Sequence, residues 1–434
     1  RHRRPGRPAR RARPGLMLPE PLARVLAHRN YAWLLLGGAP SYVTTWMQRV
    51  GVGWLAWELT HSPLWLGLVA AADLAPALAL SPFAGAITDR HDRLFQLRLS
   101  KFLLLLQALM LAAFQFAGLL SIELLFGLSL YSGLVHPFNQ AARHSVVPSC
   151  VSRADFPTAI AVDSAIFQVS RFLGPAAAAV MIPWAGVAGA FLSHVAGLAL
   201  FLFALFQLRL PPQARKDHAG RSVRADVAEG WRYVRGHDAI WPLLLMLAVA
   251  SVMLRPIQEM LPGFAGQVFG ADAVGLAWLT SSMGLGAFVS AVWIASRGRA
   301  RGLTMVAVFG FLGLCLVTFG FVATRTLWIG AVCATVMGFT VNTMSTSIQT
   351  LVQLAVAEEM RGRVMSLYGL IWRGTPALGA LVAGAAAEQI GLRATFAIAA
   401  ALCLGAWAVA ARHRKAIAQA AESAPLPLRE KSAA

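Results

Sequence analysis

Residues 303–323 read LTMVAVFGFLGLCLVTFGFVA, 21 residues without a charge. A helix of about 20 apolar residues crosses the hydrocarbon core of a bilayer, so this stretch reads as a membrane span. Its flanks are unequal. Arg297, Arg299 and Arg301 stand before it, and Arg325 alone stands just after it. Arg and Lys gather in cytoplasmic loops, which puts the start of this span at the cytoplasm. Outward in both directions the same unit recurs. The apolar blocks predict spans at 31–56, 65–87, 97–118, 122–141, 158–181 and 187–208, then at 239–261, 274–295, 303–323, 327–349, 364–387 and 394–411. Bases crowd every second gap. Nine Arg precede the first span, Arg90, Arg93, Arg98 and Lys101 follow the second, Arg143 and Arg153 follow the fourth, and seven bases fill the long gap after the sixth. Arg361 and Arg363 precede the eleventh span, and the C-terminal stretch adds five bases. The opposite gaps hold only Arg325 and Arg393. The expected fold is an all-α membrane protein of twelve transmembrane helices in two six-helix bundles, with both termini cytoplasmic.

The expected division is a basic, disordered tail over 1–29, a first bundle over 30–209, a basic cytoplasmic linker over 210–238, a second bundle over 239–412 and a cytoplasmic tail over 413–434. Residues 1–16 are almost only Arg, Pro, Ala and Gly, too poor in apolar groups to bury a core. No apolar region follows them at once, so they do not read as a signal peptide. The two bundles look related: Arg171–Pro175 reads RFLGP in span five, and Arg373–Pro376 reads RGTP in span eleven. A six-plus-six repeat with a long basic central loop is a frequent architecture of secondary transporters.

Composition narrows the function further. The chain is 57% hydrophobic and 13% charged, against about 25% charged in soluble proteins. Its formal net charge of +19 sits in tails and loops beside apolar helices, a pattern of membrane topology and not of nucleic-acid binding. Cys150, Cys315, Cys333 and Cys403 form no C-x-x-C pair, so neither a disulfide framework nor a metal site is read from them. No phosphate-binding G-x-x-x-x-G-K-[ST] loop, H-E-x-x-H motif or nucleophile elbow occurs. No cofactor, no metal and no enzymatic chemistry are expected.

Ionisable groups within spans are costly and mark functional positions. The arginines at such depth are Arg49, Arg171, Arg255 and Arg373; the acids are Asp73, Asp163 and Glu259. Arg49 and Asp73 lie at matching depths in spans one and two, so they are expected to pair. Asp73 then either titrates and couples protons to transport, with Arg49 setting its affinity, or belongs to a permanent structural pair. Arg255 and Glu259, four apart in span seven, are expected to share a helical face and pair. The stretch Leu254-Arg255-Pro256 is expected to kink that helix. Asp163 and Arg171 lie two turns apart on similar faces. Arg171 and Arg373 either meet an anionic substrate across a central cavity or bind helix ends and snorkel. Gln48, Asn342, Gln349 and Gln353 add polar cavity or gate groups, and the lone His194 reads as structural.

The end of span two reads GAITDRHDR, Gly85 to Arg93. It resembles the loop motif of the major facilitator superfamily, with Gly85, Asp89, Arg90 and Arg93 in the matching places. Asp92 replaces the motif's second glycine, and Leu94 its next base. Trp46–Val50, Trp54–Ser62, Glu359–Tyr368 and the pair Gly174-Pro175 are similar to the transmembrane secretion effector branch of that superfamily. The resemblance runs from about Asn30 to Trp407. It implies a cytoplasmic charge relay between helices two and eleven, drawing on Arg361 and Arg363. It also implies a multi-pass monomer of the bacterial inner membrane whose partners are protons, lipid and a small organic molecule, siderophore-like or drug-like, that it exports. Helix five keeps small residues at Ser170, Gly174, Pro175, Ala178 and Ala179, either as an exporter's hinge or as an ordinary small-residue interface. Uptake on the same fold and a non-transporting membrane sensor or scaffold are the alternatives.

Overall fold

The structure is a computed structural model that describes residues 20–210, 223–297 and 301–422. Most of the N-terminal tail, part of the linker and the end of the C-terminal tail lie outside the described residues. What is described is helical throughout. In chain order the helices are α1 (Glu20–Ala27), α2 (Arg29–Thr60), α3 (Pro63–Arg90), α4 (Arg93–Phe116), α5 (Ile122–Val146), α6 (Phe156–Gln207) and α7 (Val223–Arg235). There follow α8 (Ile240–Met253), α9 (Ile257–Gly263), α10 (Ala273–Arg297), α11 (Leu303–Ala323), α12 (Leu327–Ala355), α13 (Arg361–Ile390) and α14 (Leu392–Glu422). Among the described residues, nine helical stretches are long and apolar enough to cross a membrane.

Local chemistry sets the helix ends. Ser62 caps α3 through its hydroxyl, which accepts from Trp65 N at 3.4 Å, with Pro63 at the first helical position. Asp92 caps α4 by accepting from Leu94 N at 2.8 Å and Phe95 N at 3.2 Å. That cap accounts for an acid where the family motif has glycine. Helix α6 holds 52 residues, far more than one crossing needs, and it folds back at Gly186, whose φ of 62° favours glycine. The break falls between the spans predicted at 158–181 and 187–208. Leu254-Arg255-Pro256 interrupts the next apolar block, as expected, and separates α8 from α9.

Some elements depart from the predicted division. Residues read as tail form α1, whose Val25 is fully buried. His28 Nε2 meets Asp155 Oδ2 at 2.9 Å and ties the α1–α2 corner to the loop before α6. That hydrogen bond holds the Asp155 carboxyl below its usual value. Within the linker, α7 docks on α13: Glu229 pairs with Arg363 at 2.9 Å, and Ala357 N donates to Tyr233 Oη at 3.2 Å. Helix α14 continues into the predicted tail as far as Glu422.

The halves meet along two seams, α3 with α13 and α6 with α10. Ser62 Oγ donates to Glu388 Oε2 at 2.8 Å, and Leu64 N reaches the same oxygen at 3.2 Å. A Cβ on Gly67 would stand 2.5 Å from Ala380 O, so only glycine admits α13 this closely. On the second seam Ser281 Oγ donates to Phe172 O at 3.1 Å. All these contacts lie toward the end away from the basic loops. Toward the basic end Phe83 and Leu370 are 64% and 47% exposed, and among the described residues a Cβ on Gly85, Gly362 or Gly369 would meet nothing within 4 Å.

Candidate functional site

A cavity of about 300 Å³ lies inside the first bundle and reaches its seam with the second. Helices α2 to α6 supply its wall, and Glu259 of α9 is the second half's contribution. One face of α5 is polar by helical spacing: Ser129, Ser132, His136, Asn139 and Gln140 recur every three or four residues and all line the cavity. Trp46 and Phe167 form an aromatic side.

Two ionic groups organise the interior. Arg49 on α2 pairs with Glu259 on α9 at 3.2 Å, across the two halves, and its guanidinium lies 5.3 Å from the Trp46 ring. Asp73 on α3 accepts from Ser132 Oγ at 3.0 Å. His136 Nδ1 stands 3.8 Å from the same carboxylate oxygen and 2.7 Å from the Ser132 carbonyl. A carbonyl only accepts, so Nδ1 carries the proton in that bond. Nearby, Gln48 Nε2 donates to Gln107 Oε1 at 3.2 Å. Gln48 Oε1 and Asn139 Nδ2 are buried without partners among the described residues.

The expected pairings are thereby corrected. Arg49 does not pair with Asp73. Its partner is Glu259, because the halves bring α9 against α2 while Ser132 takes the Asp73 carboxylate. Arg255 does not pair with Glu259, since the helix breaks between them. Arg255 instead donates through Nη1 to the Trp372 carbonyl and stacks 3.8 Å from that ring. Asp163 pairs with Arg143, a base read from the sequence as a loop residue; it is only 3% exposed and stacks 4.4 Å from the Tyr42 ring.

The other candidates are spread more widely. The Arg171 guanidinium stacks 5.4 Å from Trp46, while neither it nor Arg373 is among the cavity-lining residues. Asn342 joins the seam: Gln168 Nε2 reaches its Oδ1 at 3.4 Å, and its Nδ2 donates to Ser290 Oγ at 3.2 Å. Gly174 and Pro175 are buried, and a Cβ on Gly174 would stand 2.6 Å from Val43 O. His194 lines the cavity and bonds Thr44 Oγ1 at 3.2 Å. In the loop motif, Arg93 donates to Ser145 O at 3.1 Å, and Arg90 and Arg361 are exposed. The Asp89 side chain lies outside the described residues.

The cross-half pair is open to a direct test. Arg49 and Glu259 are 35% and 22% exposed, so the pair is screened from the cavity side and falls short of a fully buried one. Arg49→Met and Glu259→Met are each expected to lower the unfolding midpoint of the purified protein. A double-mutant cycle should give a coupling of about 1 kcal/mol. Additivity would show that the contact contributes nothing.

Comparison with known proteins adds the identity of the fold. Residues 21–432 match the family model described as transmembrane secretion effector. The chain is 26% identical over 375 residues to the multidrug efflux pump Tap of Mycolicibacterium fortuitum, covering 83% of this chain and 89% of that one. It is 23% identical over 365 residues to the staphyloferrin A transporter of Staphylococcus aureus, covering 82% and 89%. Among solved structures, a bacterial homologue of the iron transporter ferroportin in its inward-facing state superposes with a TM-score of 0.65 at 16% identity, covering 90% of this chain and 98% of that one. Such a likeness shows a shared major-facilitator-like helical fold. The family and these relatives are transporters and not enzymes, and this multi-pass membrane protein belongs to the transmembrane secretion effector family.

Proposed function

We propose that the chain is a twelve-span secondary transporter that exports a small organic molecule, siderophore-like or drug-like, in exchange for protons by alternating access. Among the described residues, the nine apolar stretches, with α6 counted twice for its fold at Gly186, give ten spans; α2 and α5 make twelve. Those two carry charges such as Arg49 and Arg143, which lower their hydropathy but turn inward to Glu259 and Asp163. The observation that carries the proposal is the charged cavity at a seam whose tight contacts lie toward the end away from the basic loops. With the basic loops in the cytoplasm, this is the inward-open member of an alternating pair. Asp73, held by Ser132 beside His136, is the proton site. The Arg49–Glu259 bond is the contact that transmits its charge state between the halves. Gly85, Asp89, Arg90 and Arg93 with Arg361 and Arg363 lock the cytoplasmic end when it closes.

The test uses the purified protein in proteoliposomes that enclose a pH-sensitive dye. Siderophores and macrolides are added outside one at a time. Antiport alkalinises the lumen as protons leave against incoming compound. Symport acidifies it and would replace export by uptake. If no compound moves luminal pH, and none changes its accumulation in cells with the protein, the transporter reading gives way to a sensor or scaffold.

A further inference from the structure

Lys101 sits eight residues into α4, about 12 Å along the helix from Arg93 at the basic end. From the sequence it counts among the loop bases that set topology. The structure places it in the cavity wall, 8% exposed, with its ammonium 5.0 Å over the Phe201 ring. A base that marks topology reaches back to the headgroups. Arg98, three residues nearer the basic end, is the half-buried base that reaches the Leu205 carbonyl at 2.9 Å and stacks on Phe206. Lys101 is too deeply buried for that role.

A structural lysine would hold a carboxylate or a set of carbonyls. Among the described residues Lys101 has neither. The carboxylates in and beside the cavity have other partners: Asp163 pairs with Arg143, Glu259 pairs with Arg49, and Asp73 accepts from Ser132 Oγ. The charge count around the cavity agrees. Two bases, Arg49 and Lys101, and two carboxylates, Asp73 and Glu259, line it. Arg49 takes Glu259, and Lys101 is the lining base that has no ion-pair partner among the described residues.

The same wall holds further unfilled valence. Among the described residues Asn139 Nδ2 is a buried donor without an acceptor, and Gln48 Oε1 a buried acceptor without a donor. Buried polar atoms are ordinarily bonded, so such orphans on a cavity wall mark where a bound molecule completes the network. A single ammonium and one amide donor on the same wall suit a carboxylate. A phosphate, with three oxygens and nearly twice the charge, is better matched by an arginine fork. Trp46, Phe167 and Leu198 offer the apolar remainder of the site a surface.

We propose that Lys101 is the cavity's anion anchor and that the site selects amphipathic molecules carrying a carboxylate, the charge meeting Lys101 and the apolar body the Trp46 side. This rests on the cavity being the cargo site, and not on the direction of transport or the coupling ion.

The probes are three fluorophores of one skeleton and different charge: dansylglycine, its neutral amide and the cationic dansylcadaverine. Binding to the full chain in detergent, without any gradient, is read by energy transfer from tryptophan. Wild type is expected to bind dansylglycine about tenfold more tightly than the amide, in line with one charge-assisted hydrogen bond, and the cation most weakly. Lys101→Gln should erase that preference, and Lys101→Arg should retain most of it. Unliganded Lys101→Gln should unfold at a higher temperature than wild type, because a buried base without a carboxylate partner is gone; a lysine that merely braced the fold would give the opposite shift. Wild type without a carboxylate preference, or Lys101→Gln with the preference intact, overturns the proposal. A preserved preference alongside silent proteoliposomes sinks the transport reading and leaves the anchor standing.

Discussion

Asp73→Asn is expected to reduce proton-driven movement of substrate to background while substrate still exchanges for substrate across the membrane. The two readouts separate because an amide keeps the shape and the hydrogen bond of the carboxylate. It still accepts from Ser132 Oγ, which stands 3.0 Å from Asp73 Oδ1. What it loses is the ability to gain and release a proton. Exchange needs the cavity to open to both sides while loaded, and uphill export needs a proton to return on the empty or loaded carrier. The variant therefore stalls the second process and spares the first. His136 is the neighbouring titratable group, and His136→Gln is expected to shift the pH dependence of flux without ending it. Uphill accumulation that survives in Asp73→Asn would place the proton elsewhere in the cavity.

Gly286→Leu is expected to destabilise the second bundle by about 3 kcal/mol or more, to the point where little folded protein survives extraction. Helices α10 and α12 cross with backbone against backbone there. A Cβ on Gly286 meets the carbonyl of Thr335, and a Cβ on Gly338 meets the carbonyl of Met283. Both obstacles are main chain and cannot rotate away. Holding the helices apart would also break the bonds farther along this crossing, where Ser290 Oγ meets Thr343 Oγ1 at 2.6 Å and Asn342 donates to Ser290 at 3.2 Å. Gly369→Ala and Gly405→Ala are the controls. Among the described residues an added Cβ meets nothing within 4 Å at either site, so helix propensity alone should stabilise them slightly. Thermal unfolding followed by size-exclusion fluorescence reads all three. A Gly286→Leu protein as stable as the controls would refute the close crossing.

Much of this architecture was legible in the chain. A block such as residues 303–323 has one physical solution, and the helix Leu303–Ala323 coincides with it. The kink at Pro256 followed from a missing amide hydrogen, and the break at Gly186 fell in a predicted gap. Partner choice was harder to read. The expected Arg255–Glu259 pair assumed an unbroken helix across the very proline that breaks it. The Arg49–Glu259 contact joins residues 210 apart, and no local spacing records how two bundles meet. Arg143 and Lys101 were counted as topological bases because a basic residue near a span end reads alike whether it faces headgroups or a cavity. One local signal could have found the site: Ser129, Ser132, His136, Asn139 and Arg143 fall on one face of α5, a polar stripe inside an apolar block.

The lopsided cavity wall has a consequence for how such proteins diversify. Among the described residues nearly every cavity-lining residue belongs to α2 through α6, and the second bundle lends a single carboxylate. If that cavity holds the cargo, as proposed, recognition and leverage are written in separate stretches of one gene. Under the proposed function, grafting residues 30–209 onto a relative's second bundle carries the cargo range with it, provided Glu259 is kept. A new resistance phenotype can arise by recombination near the linker, with no need for matched changes on both sides of the seam.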